Sequence, residues 1–243
     1  FYEKVICVSE DLYEASRRAG GPASRCVLLE NGIDVLAFHR RQTVAEAKAR
    51  LGFAPDSFLI GAVGRLSAEK GFDLLIRSID ELYRQGSQHV QLAIFGEGRE
   101  QASLQALIQQ LGRQDQIKLM GFRTDLRPCY EAMDLFDLSS LREGQPNVVL
   151  EAMAMEVPVV STRIAGIPRL LQHQENGYLI EAGSSEAITQ ALSALLSQPH
   201  LREQYKNVGR QTVETRFNFA KRMEKLGALY DDLLQKPRGS NRW

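Results

Sequence analysis

The chain has 243 residues, 30 Lys plus Arg against 30 Asp plus Glu, and is 44% hydrophobic and 25% charged. A net charge of zero excludes a general nucleic-acid binder, which needs a basic excess, and the apolar share excludes a largely disordered chain. No apolar run approaches the roughly 18 residues of a membrane helix, and at this length about 70–75% of the unfolded surface can be buried in a core.

Phe1-Tyr2-Glu3-Lys4 opens the chain with neither a Met nor a signal-peptide pattern, so the sequence reads as a fragment or a processed chain. Val5–Val8 is expected to be a buried strand and Asp11–Ala19 a helix closed by Gly20-Gly21-Pro22. Val27–Leu29 is a short apolar run ending at the turn signal Asn31-Gly32. Helix-forming sequence resumes at Val44–Leu51. Short runs rich in branched and aromatic residues then predict strands at Phe58–Val63, Val90–Phe95, Ile117–Met120, Leu135–Ser139, Val157–Ser161 and Tyr178–Ile180. Between them, Leu74, Leu75, Ile79 and Leu82 recur at helical steps before Gly86, and Leu104, Leu107, Ile108 and Leu111 before Gly112. Three helical patterns follow, Ser185–Leu196, Leu201–Arg216 and Phe219–Leu234, with a polar tail Lys236–Trp243 that is expected to fray. This alternation predicts an α/β fold, a doubly wound parallel sheet of about six strands with helices on both faces.

Cys7, Cys26 and Cys129 are odd in number and widely spaced, which fits neither a disulfide framework nor a zinc site and reads as buried thiols in a reducing cytosol. His39, His89, His173 and His200 fall in loops or helix ends, His173 late in the helix after Pro168, and none is assigned as a base.

In an open α/β sheet, ligands bind beyond the carboxyl ends of the strands. Gly64-Arg65-Leu66-Ser67-Ala68-Glu69-Lys70-Gly71 follows one strand. Its glycines allow close backbone approach, and Arg65 and Lys70 supply donors for phosphate oxygens. On its own the segment fits a diphosphate clamp and a solvated turn with a Glu69–Lys70 pair equally well. It is no Walker A loop, and Gly96-Glu97-Gly98 lacks the third glycine of a dinucleotide fingerprint, since position 101 is Gln101. Glu143-Gly144-Gln145-Pro146-Asn147-Val148-Val149 follows a later strand, with Pro146 suited to the first helical position. The open amides of Asn147, Val148 and Val149 would then face an anion. Glu143 and Glu151 would accept from hydroxyls on either side of that anion; standing alone, the motif is read in preference as a surface carboxylate at Glu143 and a helix-dipole carboxylate at Glu151. Gly121-Phe122-Arg123 could border a base, or Phe122 could lie in the core.

Taken together these motifs resemble the nucleotide-sugar-binding, C-terminal half of a GT-B glycosyltransferase, specifically the retaining glycosyltransferase family 4. The matching segments run in the family's order: Val8-Ser9-Glu10, Asn31-Gly32-Ile33-Asp34, Gly64-Arg65 with Glu69-Lys70-Gly71, Phe95-Gly96-Glu97-Gly98, Glu143 and Glu151 in Glu-x7-Glu, Ala165-Gly166-Ile167-Pro168, and Asn176-Gly177. The resemblance implies that Arg65 and Lys70 bind the donor diphosphate, Glu151 the ribose and Glu143 the transferred sugar. It places Gly64, Gly144, Gln145, Asn147 and Val148 around sugar and phosphates, largely through backbone amides, and Phe122 and Arg123 at the base. It implies a nucleotide-diphosphate-sugar donor, UDP before GDP or ADP, with no metal and no other cofactor.

The resemblance also divides the chain into the end of an acceptor-side domain and linker (1–40), the nucleotide-sugar-binding domain (41–218) and a crossover helix with its tail (219–243). An acceptor glycan or lipid-linked glycan would be held by a domain preceding this chain, so the chain alone is expected to transfer sugar poorly. Val5–Val8, without sheet partners, is expected to be covered by a neighbouring copy, repacked or poorly ordered. The implied location is cytoplasmic, with peripheral contact to the inner face of a membrane. A GT-B sugar-nucleotide epimerase and a non-catalytic nucleotide-binding module remain as alternatives.

Overall fold

The computed structural model describes residues 3–20, 22 and 24–235. Gly21 of the expected Gly20-Gly21-Pro22 closure and the expected frayed tail Lys236–Trp243 lie outside the described residues.

The first piece is β1 (Val5–Cys7), α1 (Glu10–Arg18) and β2 (Cys26–Leu28). β1 pairs in parallel with β2, Val5 opposite Cys26 and Cys7 opposite Leu28. The expectation of a strand without partners is therefore corrected: the chain turns back after α1 and supplies the partner itself. Val5 and Ile6 remain more than a third exposed. Ser9 caps α1 by accepting from the Leu12 amide.

The main body begins at α2 (Val44–Arg50), opened by a capping box in which Thr43 and Glu46 each bond the other's backbone amide. There follow β3 (Phe58–Val63), α3 (Phe72–Arg84), β4 (Val90–Phe95), α4 (Gln101–Leu111), β5 (Ile117–Gly121), α5 (Arg127–Ala132) and β6 (Leu135–Leu138). After these come α6 (Asn147–Ala154), β7 (Val159–Thr162), α7 (Ile167–Leu170), β8 (Tyr178–Ile180), α8 (Ser185–Ser197), α9 (Pro199–Thr215) and α10 (Phe219–Gln235). β3 to β8 form one six-stranded sheet in the order β5-β4-β3-β6-β7-β8, every pair parallel. The order reverses between β3 and β6, which makes that seam the switch point where a ligand is expected.

Two hydrophobic layers sandwich the sheet. Leu59, Val63, Phe136, Leu138 and Val159 point to one with α5 and α6, and Ile60, Ala62, Leu135 and Val160 to the other with α3 and α8. The alternation of buried residues on both faces explains why these strands read as continuous apolar runs. β7 starts two residues later than expected because Pro158 has no amide to donate; it still accepts from Phe136 N, at 2.9 Å. α7 ends at Leu170, so His173 sits in the following turn rather than in the helix, accepting from Leu179 N at 3.1 Å. Among the described residues no helix is long and apolar enough to cross a membrane. Cys7, Cys26 and Cys129 are free and buried.

Candidate functional site

β3 delivers Gly64 and Arg65 to the carboxyl edge of the sheet. Gly64 N donates to Phe95 O and Leu66 N to Glu97 O, both at 3.0 Å. A side chain on Gly96, which holds φ at +143°, would collide with the Gly64 carbonyl oxygen, and one on Gly98 with the Leu66 backbone. The Gly-Glu-Gly segment, inadequate as a dinucleotide fingerprint, thus serves to lay the β4 loop directly on the β3 loop. This use escaped the sequence reading, although two glycines straight after a strand do mark a close backbone approach. Phe122 is 62% exposed, which rules out its place in the core. With Arg123, Gly64, Arg65, Glu97 and Leu126 it lines a cleft of about 340 Å³. A larger groove of about 760 Å³ along α3 and α4 contains none of the expected site residues.

The β3 loop continues through a short 3-10 turn, Ala68–Lys70, to Gly71 at φ +62°, where a side chain would collide with the Ser139 carbonyl. Ser139 Oγ donates to Lys70 O at 3.1 Å, and Leu141 N to Glu69 O at 2.7 Å. These bonds lock the loops after β3 and β6 together across the switch point. They bring Lys70 Nζ to 2.5 Å from Glu143 Oε1, and Ser140 Oγ donates to the same oxygen at 2.7 Å. Thr162 Oγ1, at the end of β7, fixes Ser140 by donating to its carbonyl at 2.7 Å. The ion pair in this loop is therefore Lys70–Glu143, not Glu69–Lys70. Both side chains are largely buried, at 17% and 10% exposure, so the charges are weakly screened. Arg65 is exposed and lines the cleft with Phe122, with no hydrogen-bond or ionic partner among the described residues.

Pro146 is the N-cap of α6, at φ −75° and ψ 115°, so Asn147 is the first helical residue; the expected place of Pro146 inside the helix is corrected. Val149 N donates to Pro146 O at 3.2 Å and is not open to a ligand. The Asn147 and Val148 amides have no acceptor among the described residues and remain available, as helix N-termini leave their first donors. Gly166 N donates to Gly144 O at 3.3 Å, tying the loop after β7 to this turn. The Gln145 side chain turns toward the linker: its Oε1 accepts from Asn31 N at 2.6 Å. Its Nε2 is buried without a hydrogen-bond partner among the described residues, and its carbonyl accepts from Asn31 Nδ2 at 3.4 Å.

Glu151, one turn into α6, is half-buried, and Tyr130 Oη donates to its Oε2 at 2.9 Å. Burial raises the Glu151 carboxyl above the ordinary range, and the Tyr130 bond opposes that rise. Tyr130, Ser139, Ser140 and Thr162 were not anticipated. Tyr130 and Ser139 meet Glu151 and Lys70 at 21 and 69 positions' distance, and Thr162 reaches the site only through Ser140, contacts that no local pattern signals; Ser140 lies three positions from Glu143.

Residues 43–212 match the family model described as glycosyl transferases group 1. The chain is 31% identical over 177 residues to the lipopolysaccharide core biosynthesis glycosyltransferase LpsE of Rhizobium meliloti, covering 73% of this chain and 51% of LpsE. It is 29% identical over 221 residues to the capsular polysaccharide biosynthesis glycosyltransferase CapM of Staphylococcus aureus, covering 86% of this chain and 58% of CapM. Among solved structures it is similar to HepE from Anabaena in complex with UDP, at a TM-score of 0.88 and 25% identity, covering 96% of this chain and 64% of HepE. The chain thus spans from about half to under two thirds of these proteins' lengths. Its six-stranded parallel sheet is the Rossmann-like C-terminal domain of a GT-B architecture. The epimerase and non-catalytic alternatives are not favoured by relatives named as glycosyltransferases. The chain belongs to the glycosyl transferases group 1 family.

Proposed function

We propose that this member of the glycosyl transferases group 1 family binds the nucleotide-diphosphate-sugar donor of a retaining, family 4 type hexosyl transfer. The observation that carries the reading is the meeting of Lys70 and Glu143 at the switch point, beside the open Asn147 and Val148 amides. In this reading the base lies against Phe122 and Arg123, and the ribose hydroxyls donate to Glu151. The diphosphate takes Arg65, Lys70 and the α6 amides. UDP is the first choice of nucleotide, since HepE, the similar structure, holds UDP. Residues 41–218 are the donor-binding unit, with 1–40 and 219–243 as its flanking pieces.

Lys70 then exchanges one negative partner for another as the diphosphate arrives, and Glu143 is released toward the sugar. As the glycosidic bond breaks, negative charge grows on the departing diphosphate. Fixed cations and helix amides stabilise that charge without reorganising, the usual source of the largest catalytic term. Glu143, on the sugar side, is placed to accept from sugar hydroxyls and to stabilise positive charge developing at the anomeric carbon. This scheme assigns the positive field to Arg65, Lys70 and the α6 amides and needs no metal. The acceptor, a glycan or lipid-linked glycan, would be held outside these residues. The buried free thiols suit the reducing cytoplasm, with the membrane approached from its inner face.

Calorimetric titration with UDP, GDP, ADP and NAD tests the reading. One nucleoside diphosphate should bind in preference and NAD should not. Lys70→Ala and Glu151→Ala should each weaken that binding about ten- to a hundredfold, the worth of a charge-assisted hydrogen bond. Absence of diphosphate binding at about 1 mM, or equal binding by both variants, contradicts it.

A further inference from the structure

Tyr130 is fully buried, and the donor reading gives it no task. Its ring packs tilted against Phe136, with centroids 5.9 Å apart. Tyr130 N donates to Leu126 O at 2.9 Å, and Leu126 lines the 340 Å³ cleft assigned to the base. The backbone of α5 and the ring contact therefore fix the hydroxyl from two sides. A phenol has one hydrogen to give. Two acceptors are in reach, Glu151 Oε2 at 2.9 Å and Val148 O at 3.4 Å, and the shorter contact and the carboxylate's charge favour Glu151.

The consequence for Glu151 is directional. Oε2 is held by the phenol from beneath, while Oε1 has no hydrogen-bond partner among the described residues. A half-buried carboxylate on a helix has several staggered rotamers, and the bond to the buried phenol favours those that keep Oε2 on it. The bond therefore narrows the rotamers and leaves a single oxygen for a ligand.

We propose that Tyr130 is the positioning residue for ribose recognition: its hydroxyl aims Glu151 Oε1 at the ribose hydroxyls and so sets the preference for a ribonucleotide donor. This rests on the reading of Glu151 as the ribose ligand. Tyr130 touches no donor atom and acts through Glu151 alone.

The test is calorimetric titration of the full chain with UDP and with 2′,3′-dideoxy-UDP, which lacks both hydroxyls. It compares the unchanged chain, Tyr130→Phe, Glu151→Ala and the double variant. The unchanged chain should prefer UDP by about tenfold or more. Tyr130→Phe keeps the ring and its packing, so dideoxy-UDP affinity should stay within about twofold while UDP affinity drops about five- to tenfold. In the Glu151→Ala background the preference should already be gone, and adding Tyr130→Phe should change neither affinity. Equal weakening of both ligands by Tyr130→Phe would mean a purely structural role and overturn the proposal. So would an intact UDP preference in Tyr130→Phe while Glu151→Ala loses it. An intact preference in Glu151→Ala would overturn the ribose reading itself, and the proposal with it.

Discussion

Asp137→Val should raise the unfolding free energy at pH 8 by about 4 kcal/mol, roughly 10 °C in midpoint for a chain of this size. Asp137 lies in the middle of β6, opposite Val160, at 1% exposure. Neither of its carboxyl oxygens has a hydrogen-bond partner. Burial pushes the carboxyl up to about 7, opposed by the nearby Ser139 hydroxyl. That hydroxyl has its hydrogen directed to Lys70 O, at 3.1 Å, so it relieves the carboxyl little. The sign follows from linkage. The folded chain keeps a proton that the unfolded chain releases near pH 4, so stability is full below that point and falls as pH rises toward 7. Valine removes the titration, suits a strand flanked by Val159 and Val160, and fits the apolar layer. Thermal unfolding between pH 4 and 8 checks this. The variant's advantage over the unchanged chain should grow over that range as Asp137 ionises; identical curves would contradict the account.

Gly96→Ala should cost about 3–5 kcal/mol and take UDP binding with it, summing backbone strain at a positive φ and a collision with backbone. The added methyl would point at the Gly64 carbonyl oxygen, and no flexible side chain is there to give way. Relief would require the β3 and β4 loops to part, breaking Gly64 N to Phe95 O and Leu66 N to Glu97 O. Arg65 and the floor of the base cleft move with them. Denaturant unfolding combined with UDP titration measures both effects. A variant of unchanged stability and affinity would show that this loop contact is not what builds the site.

Much of the fold was legible because β3, β4 and β8 are short apolar runs bounded by turn residues, and strand burial on both faces needs no distant information. Where single residues override the pattern, the boundaries moved: Pro158 delays β7, and Pro146 caps α6 instead of entering it. The partner of β1 was not legible, since nothing in Val5–Val8 says that Cys26–Leu28 returns beside it. The site divides in the same way. Arg65, Lys70, Glu143 and Glu151 stand out as charged residues in loops or at a helix start after strands. That Lys70 meets Glu143, 73 positions away, depends on Gly71 passing close under Ser139 and on Thr162 holding Ser140. Gln145 shows the limit of motif position: its Oε1 accepts from Asn31 N, 114 positions away, a contact the motif does not signal.

The most direct test of the donor site is a crystal structure of the chain with UDP bound. The account predicts the uracil against Phe122 and Arg123, the ribose hydroxyls on Glu151, and the diphosphate on Arg65, Lys70 and the Asn147 and Val148 amides, with the Lys70–Glu143 pair opened. UDP bound elsewhere, with that pair intact and the cleft beside Phe122 empty, would contradict it.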